Sequence, residues 1–379
     1  MHLLKYLFYH SKIYNAKIMA RGEKMELVVL CSAGLEKAPC IELKKLGFKI
    51  KTTTSGHVHF DGHLIDIPKL NLYLKSADRV MINVTDFPSE TFDELFEGTF
   101  SANWNELVHK RGTIVVEKVK ITNSKLSAKG AVASIVKKAI YSKIKSDNQP
   151  DGIIYPMYIY IKNNFVSLML DTTGKNSLSK RGYRMKTSSA PLRETIAAAL
   201  ILISGWDQEV PLIDPFCGSG TIAIEAARIA LQMQNNKRSF SFENWPLFKD
   251  LKPSIVNQHE CKRTVAIGYD KNPDILQVAN ENAIRAGVKK YVRFHCSDFE
   301  KLPIFHEKLH IVTNPPFGLR MREGNASFYR KLSKLRKIFP DARLCLITPR
   351  EDLQKMISIE LQRKFRFQNS GLWTWCYIF

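Results

Sequence analysis

The sequence predicts an α/β protein: a doubly wound parallel sheet in the C-terminal half, preceded by an α+β region. Three observations carry this prediction. From Leu212 onward, short apolar runs alternate with helical patterns, the signature of strand–helix–strand units. The first of these runs feeds a glycine turn, Asp214-Pro215-Phe216-Cys217-Gly218-Ser219-Gly220, that opens a helix. The fourth stops at Asn314-Pro315-Pro316-Phe317-Gly318, where consecutive prolines, lacking N–H donors and with fixed φ, end a sheet ladder abruptly.

In chain order, residues 1–24 are basic and aromatic but have no long apolar core and no small-residue cleavage site, which argues against a signal peptide. They are poor in Ser and Arg, unlike an organelle presequence, and read as a disordered extension. The first domain opens at Met25. Glu26–Leu30 is an apolar strand, Leu35–Leu46 has helical spacing ending at Gly47, and Phe48–Thr53 and His57–Phe60 alternate as strands. A helix at Ile67–Leu74, a strand at Arg79–Val84, a helix from Phe92 and a strand at Thr113–Val119 follow. Lys129–Lys145 is a basic amphipathic helix that places Lys137 and Lys138 as candidate phosphate contacts. Tyr155–Ile161 and Phe165–Leu170 form a hairpin. A basic connector over 171–190 carries Lys180, Arg181 and Arg184, and the domain boundary lies within it. Pro191 opens the next helix, a favoured first-turn position. The strands that follow are Leu212–Asp214, Val265–Asp270, Val292–Cys296, Leu309–Thr313 and Leu344–Ile347. A closing hairpin, Phe365–Phe367 with Leu372–Ile378, supplies an antiparallel edge.

Hydrophobic content of 45% and charged content of 25% are those of a soluble globular protein. A net charge of +21, from 57 Lys+Arg against 36 Asp+Glu, points to a polyanionic partner. The seven cysteines include no C-x-x-C pair and mostly sit in apolar runs, so reduced thiols in a cytoplasmic setting are expected, without disulfides or a metal. The longest apolar run, Ile196–Ile203, is too short to span a bilayer, and no membrane partner is expected.

The functional candidates all sit at strand ends. Gly218 and Gly220 allow a tight turn and close backbone approach to a ligand; with Ala223 they also satisfy the dinucleotide fingerprint, which keeps NAD open. The second strand ends in Asp270, where a carboxylate can accept both ribose hydroxyls of an adenosine. The third ends in Ser297-Asp298-Phe299, where a carboxylate can accept from an adenine amino group beside an apolar ring. The fourth ends in the Asn-Pro-Pro-Phe set. An Asn oxygen and a prolyl-side carbonyl can accept the two N–H bonds of a nucleobase amine, concentrating its lone pair on nitrogen, while an aromatic ring holds the base plane. Asp, Asp, Asp and Asn on successive strand ends fit S-adenosylmethionine and a base amine better than hydride transfer.

Asp214–Glu225 (D-P-F-C-G-S-G-T-I-A-I-E) and Asn314–Gly318 (N-P-P-F-G) resemble the cofactor loop and amine motif of class I methyltransferases. Arg181–Arg184 with Ala190–Glu194, Phe242–Pro246, Ala77–Val80 and Thr91–Leu95 are similar to segments of THUMP-domain RNA methyltransferases, most closely those of the RlmL type that methylate a guanine amine of 23S rRNA. The resemblance covers Met25 to the C-terminus. It implies a Rossmann-like class I methyltransferase domain over 191–379 with a seven-stranded, mostly parallel sheet. It also implies a ferredoxin-like subdomain over 25–75 and a THUMP RNA-binding domain over 76–170. Carried over, Asp214, Cys217, Gly218, Ser219 and Gly220 surround the methionine moiety of S-adenosylmethionine, Asp270 holds the ribose and Asp298 the adenine. Asn314, Pro315, Pro316 and Phe317 hold the target guanine, and Arg193 joins the connector's RNA-binding cations. Phe317 departs from the Tyr common in relatives, which keeps stacking and loses a hydroxyl. The second methyltransferase domain of bifunctional relatives is absent from the sequence, so one modification is expected. A tRNA guanine, an adenine amine in DNA or RNA, and a non-catalytic RNA-binding assembly factor stand as rival readings.

Overall fold

The computed structural model describes residues 22, 24–147, 149–184, 192–235, 238–251, 261, 263–316 and 326–379. Residues 1–21 and 23 of the expected N-terminal extension, residues 185–190 of the connector, Pro191 and Phe317 lie outside the described residues.

Two seven-stranded sheets organise the chain. The first contains β1 (Met25–Leu30), β2 (Ile50–Thr54), β3 (His57–Gly62), β4 (Arg79–Pro88), β5 (Thr113–Thr122), β6 (Ile154–Lys162) and β7 (Phe165–Asp171), in the order β2-β3-β1-β4-β7-β6-β5. Its first four strands, with helices α1 (Lys37–Lys45) and α2 (Asp66–Tyr73), make a split β-α-β unit of ferredoxin-like order. Strand β4 pairs with β1 on one side and β7 on the other, so the sheet runs unbroken into the second half of the region. Helix α3 (Phe92–Ser101) starts at a capping box: Thr91 accepts from the Glu94 amide while the Glu94 carboxylate accepts from the Thr91 amide. The short α4 (Trp104–Leu107) buries Trp104, and α5 (Lys129–Ile144) packs Val132, Val136 and Ile140 on the sheet.

The second sheet contains β8 (Leu212–Asp214), β9 (Ala266–Asp270), β10 (Val292–Cys296), β11 (His310–Thr313), β12 (Arg343–Thr348), β13 (Arg363–Asn369) and β14 (Leu372–Ile378), in the order β10-β9-β8-β11-β12-β14-β13. The first five are parallel, and the closing hairpin enters antiparallel, with β14 between β12 and β13. Strand order reverses between β8 and β11, which makes their carboxyl ends the topological switch point. Both strands are fully buried, as apolar runs in a doubly covered sheet should be. Helices α6 (Glu194–Ser204), α7 (Thr221–Ala230) and α8 (Pro273–Arg285) pack one face; α9 (Ala326–Lys331) and α10 (Lys334–Ile338) lie with the core on the other. Helix α6 begins at Glu194, three residues after the proline expected to open it.

The two sheets belong to domains that dock through buried polar groups. Leu35 and Ala38 join the core around α6. Asn235 accepts into its side chain from Arg181 and Arg228 and donates to the carbonyls of Asn71 (3.1 Å) and Leu74 (2.9 Å). The Gln368 amide of β13 donates to the Ala33 carbonyl (2.8 Å), and Gly34 passes so close to the Arg366 carbonyl that a Cβ there would sit 2.1 Å from it.

Candidate active site

The glycine turn leaves β8 and the proline corner leaves β11 at the same edge of adjacent parallel strands, with Ile213 opposite Ile311. A side-chain bond ties the two exits together. Thr313 donates from its hydroxyl to Asp214 Oδ1 at 2.6 Å, and the same oxygen accepts from the Phe216 amide at 3.2 Å. Asp214 is 1% exposed, and burial pushes its carboxyl up to about 7 despite those two bonds. It therefore lies beneath the glycine turn as a brace, rather than lining the space above it.

The turn is anchored on three sides. The Cys217 amide donates to the Tyr269 carbonyl (2.8 Å), the Gly218 amide donates to Asp270 Oδ2 (3.0 Å), and Asn282 of α8 donates to the Ser219 carbonyl (3.0 Å). Gly218 has φ +50 and Gly220 φ +82, conformations that favour glycine. Their surroundings differ. A Cβ on Gly220 would meet the Phe294 ring at 2.7 Å, whereas one on Gly218 would meet nothing within 4 Å among the described residues. Gly220 is thus needed for packing the turn on β10, and Gly218 faces open space. Cys217 is 6% exposed with its thiol pushed up by burial, which makes it a packing group and not a nucleophile.

Asp270 closes β9. Besides Gly218 it accepts from the Asn272 amide at 3.0 Å, and Asn272 then caps α8. Its carboxylate is therefore held in place beside the turn. Asp298 caps the short helical turn after β10 by accepting from the Glu300 amide (3.0 Å), and the preceding Ser297 amide donates to the Asp270 carbonyl (3.0 Å), so the β9 and β10 ends are joined. Phe299 and Phe216 pack with ring centroids 4.8 Å apart, and Phe328 of α9 completes the cluster. At the corner, Pro315 is buried and Asn314 is half-buried, with an Oδ1 that is inaccessible yet has no hydrogen-bond partner among the described residues. A buried acceptor left without a donor carries a desolvation cost of roughly 1–3 kcal/mol. A donor supplied by a ligand would remove it.

The structure brings together Asp214, Cys217, Gly218, Ser219, Gly220, Asp270, Asp298, Asn314 and Pro315 at one sheet edge. It treats the candidate RNA cations differently. Lys138 and Lys180 are exposed and Lys137 is half-buried. Arg181 is not available to a phosphate: its side chain is fully buried, donating to the carbonyls of Leu178 (2.7 Å) and Lys75 (2.5 Å) and pairing with Glu225 (3.4 Å). Arg184 pairs with Glu194 (3.4 Å), and Arg193 pairs with Asp78 (3.2 Å) across the domain junction. Glu225 and Asp78 lie 44 and 115 residues from their partners, which hides those pairs from sequence reasoning; Glu194, ten residues from Arg184, meets it only through the fold. Sequence reasoning also missed Thr313 and Asn282; an Asn on the buried stripe of α8, among Leu276, Ala279 and Ala283, was the available signal for the latter. Among the described residues no group of three metal-ligating side chains exists, and no helix is long and apolar enough to cross a membrane.

Residues 181–372 match the RMKL-like methyltransferase domain and residues 26–81 the RlmL ferredoxin-like domain. The chain is 31% identical to the Bacillus subtilis protein named "Putative RNA methyltransferase YpsC", over 93% of this chain and 95% of that one. It is 28% identical to the ribosomal RNA large subunit methyltransferase K/L of Buchnera aphidicola, over 92% of this chain and 53% of that one, and so spans about half the length of that relative. It is 29% identical to the tRNA (guanine(6)-N2)-methyltransferase of Methanocaldococcus jannaschii, over 92% of this chain and 98% of that one. The solved structure of "a putative methyltransferase complexed with SAH" superposes with a TM-score of 0.80 at 28% identity, covering 94% of this chain and 98% of that one.

Proposed function

The chain belongs to the RMKL-like methyltransferase family, and from that membership we propose that it transfers a methyl group from S-adenosylmethionine to the exocyclic amine of a guanine in large-subunit ribosomal RNA. The observation that carries the reading is the inaccessible Oδ1 of Asn314, unpartnered among the described residues, beside the glycine turn at the switch point. An amine N–H is the donor it lacks.

The residues present fit the cofactor. Gly218 faces open space, and Asp270 and Asp298 supply carboxylates on the next two strand ends. Bound there, S-adenosylmethionine supplies an electrophilic methyl group on a sulfonium. Gly218 and Ser219 would offer backbone to the methionine end, Asp270 would accept from ribose hydroxyls, and Asp298 from the adenine amino group beside Phe299. Asp214 acts through others: it braces Thr313, and thereby the corner, against the turn. Asn314 Oδ1 and a prolyl-side carbonyl would accept the two amine N–H bonds and draw the lone pair onto nitrogen, with Phe317 stacked on the base. The methylated nitrogen, briefly cationic, sheds its proton to water, so no strong base is required. The base reaches this corner by leaving its stack. The first region, with THUMP character over 76–170, would hold the RNA backbone through cations such as Lys138.

A tRNA guanine is the second reading, favoured by the collinear match to the tRNA methyltransferase over 98% of its length. The deciding experiment is labelled methyl transfer from S-adenosylmethionine onto deproteinised large-subunit rRNA and onto tRNA, followed by nucleoside analysis. N2-methylguanosine in rRNA is expected. Label only in tRNA would move the substrate assignment, and no label in either would refute the enzymatic reading.

A further inference from the structure

The closing hairpin carries a feature that the methyl-transfer chemistry does not use. From Arg363 to Ile378 it contains three cations and no carboxylate. The register Lys364↔Tyr377, Arg366↔Trp375, Gln368↔Trp373 puts these six side chains on one face. On that face the Arg366 guanidinium lies 4.7 Å from the Trp373 ring centroid and the Lys364 ammonium 5.0 Å from that of Trp375. Cations and indoles therefore alternate as a ladder. Its inner end is core, with Tyr377 buried. Its outer end is open: Trp373 is 45% exposed, and Lys364, Arg366 and Gln368 are exposed.

Its position gives the ladder its meaning. Thr313 pairs with Leu346, and Thr348 with Trp375. Continuing the β11 register by two residues sets Pro315 level with Thr348 and hence with Trp375, two strand spacings or about 10 Å away. Trp373 projects one pleat further past the same edge. Trp375 packs into the same core as Tyr329 and Phe328, so the ladder shares the sheet face that carries those α9 rings. Basic side chains on a sheet edge usually serve to block strand addition. Here the β13 backbone at Arg366–Gln368 is already engaged by Ala33 and Gly34 of the first domain, so that role does not account for Arg366.

We propose that Lys364, Arg366, Gln368, Trp373 and Trp375 form a stacking platform for single-stranded RNA flanking the nucleotide that enters the Asn314 corner. Indole faces take bases of any identity, and interleaved cations neutralise the backbone between them. The inference rests on the RNA methyltransferase reading, since it names where the strand beside the target lies.

The test uses the full chain and a fluorescein-labelled single-stranded oligouridine dodecamer, followed by anisotropy, with S-adenosylmethionine binding measured by calorimetry on the same samples. The double variant Arg366→Ala/Trp373→Ala should bind the oligonucleotide about tenfold or more weakly, the scale of one lost base stack. Trp373→Phe, which keeps a stacking ring, should retain affinity within about threefold, and all should bind S-adenosylmethionine as wild type does. Wild-type affinity in the double variant overturns the platform. So does a Phe variant as weak as the Ala one, or an equal loss on a duplex of the same length. If the double variant fails to bind S-adenosylmethionine, Arg366→Glu with both indoles intact replaces it, and undiminished oligonucleotide binding then overturns the proposal. A wild-type dimer that the double variant converts to monomer would assign the face to a second copy instead. Loss of methyl transfer with the platform intact, or the reverse, separates the two readings.

Discussion

Glu225 is a fully buried charge whose removal should cost substantial stability, and its surroundings allow the magnitude to be worked. Its side chain is 0% exposed, and so is that of Arg181 at 3.4 Å; Arg228 at 3.7 Å is 7% exposed. Tyr183 donates its hydroxyl to Glu225 Oε1 at 3.0 Å. At an effective dielectric near 20, each charge pair at such distances attracts by roughly 5 kcal/mol before desolvation. Deleting the carboxylate recovers its own desolvation but strands two buried guanidiniums, and breaking a buried pair in this way costs about 3–5 kcal/mol. Arg181 keeps its bonds to Leu178, Lys75 and Asn235, which places Glu225→Ala toward the lower end, near 3 kcal/mol. Glu225→Gln should keep the Tyr183 bond and still lose about 2 kcal/mol, because the missing charge dominates. Urea unfolding followed by far-UV circular dichroism measures both. A loss below about 1 kcal/mol in the alanine variant would refute the account of the hub as a charge-paired joint. The same experiment separates two roles for Arg181: Arg181→Ala should destabilise the fold, with oligonucleotide affinity per folded molecule unchanged.

Asn314→Ala should lower the single-turnover rate of methyl transfer about 100- to 1,000-fold while S-adenosylmethionine affinity stays within threefold, the mark of a group acting on the developing charge. Asp270→Ala should weaken S-adenosylmethionine binding by at least about tenfold in calorimetry, because it removes both a ligand acceptor and the anchor of the Gly218 amide. Asp214 holds its proton up to about pH 7 in the folded protein, whereas the unfolded chain releases it near the ordinary value of 3.8, so this group's contribution to stability falls as pH rises between those limits. Across pH 5 to 8 the fall is about 2–3 kcal/mol, and Asp214→Asn should flatten the pH profile of urea unfolding by that amount. An unchanged profile would mean the buried carboxyl is not the titrating group.

The elements and the corner were legible because their signals are local. Alternation at Leu212–Asp214 and Leu309–Thr313, the glycine turn and the double proline each fix backbone geometry within a few residues. Strand order, and with it the meeting of Asp214 with Thr313 across 99 residues, has no local signal in the sequence. The RNA cations show where local signals stop. Lys138 and Arg181 look alike in sequence, each a basic residue in a basic stretch. What separates them is whether a carboxylate arrives in the fold: Glu225 lies 44 residues from Arg181, and Asp78 lies 115 from Arg193. Three of the six cations offered by the sequence are thereby drawn into ion pairs, two of them with acids of the catalytic domain and one across the domain junction. The hairpin cations are the converse case. Among the described residues Arg366 and Lys364 meet no acid and pair with indoles instead, a choice set by cross-strand register that composition does not reveal. A positive net charge therefore predicts the class of partner, but its point of contact is found by subtracting every cation that already has a buried carboxylate. Among the described residues, the cations that subtraction leaves at this sheet edge include those of the terminal hairpin.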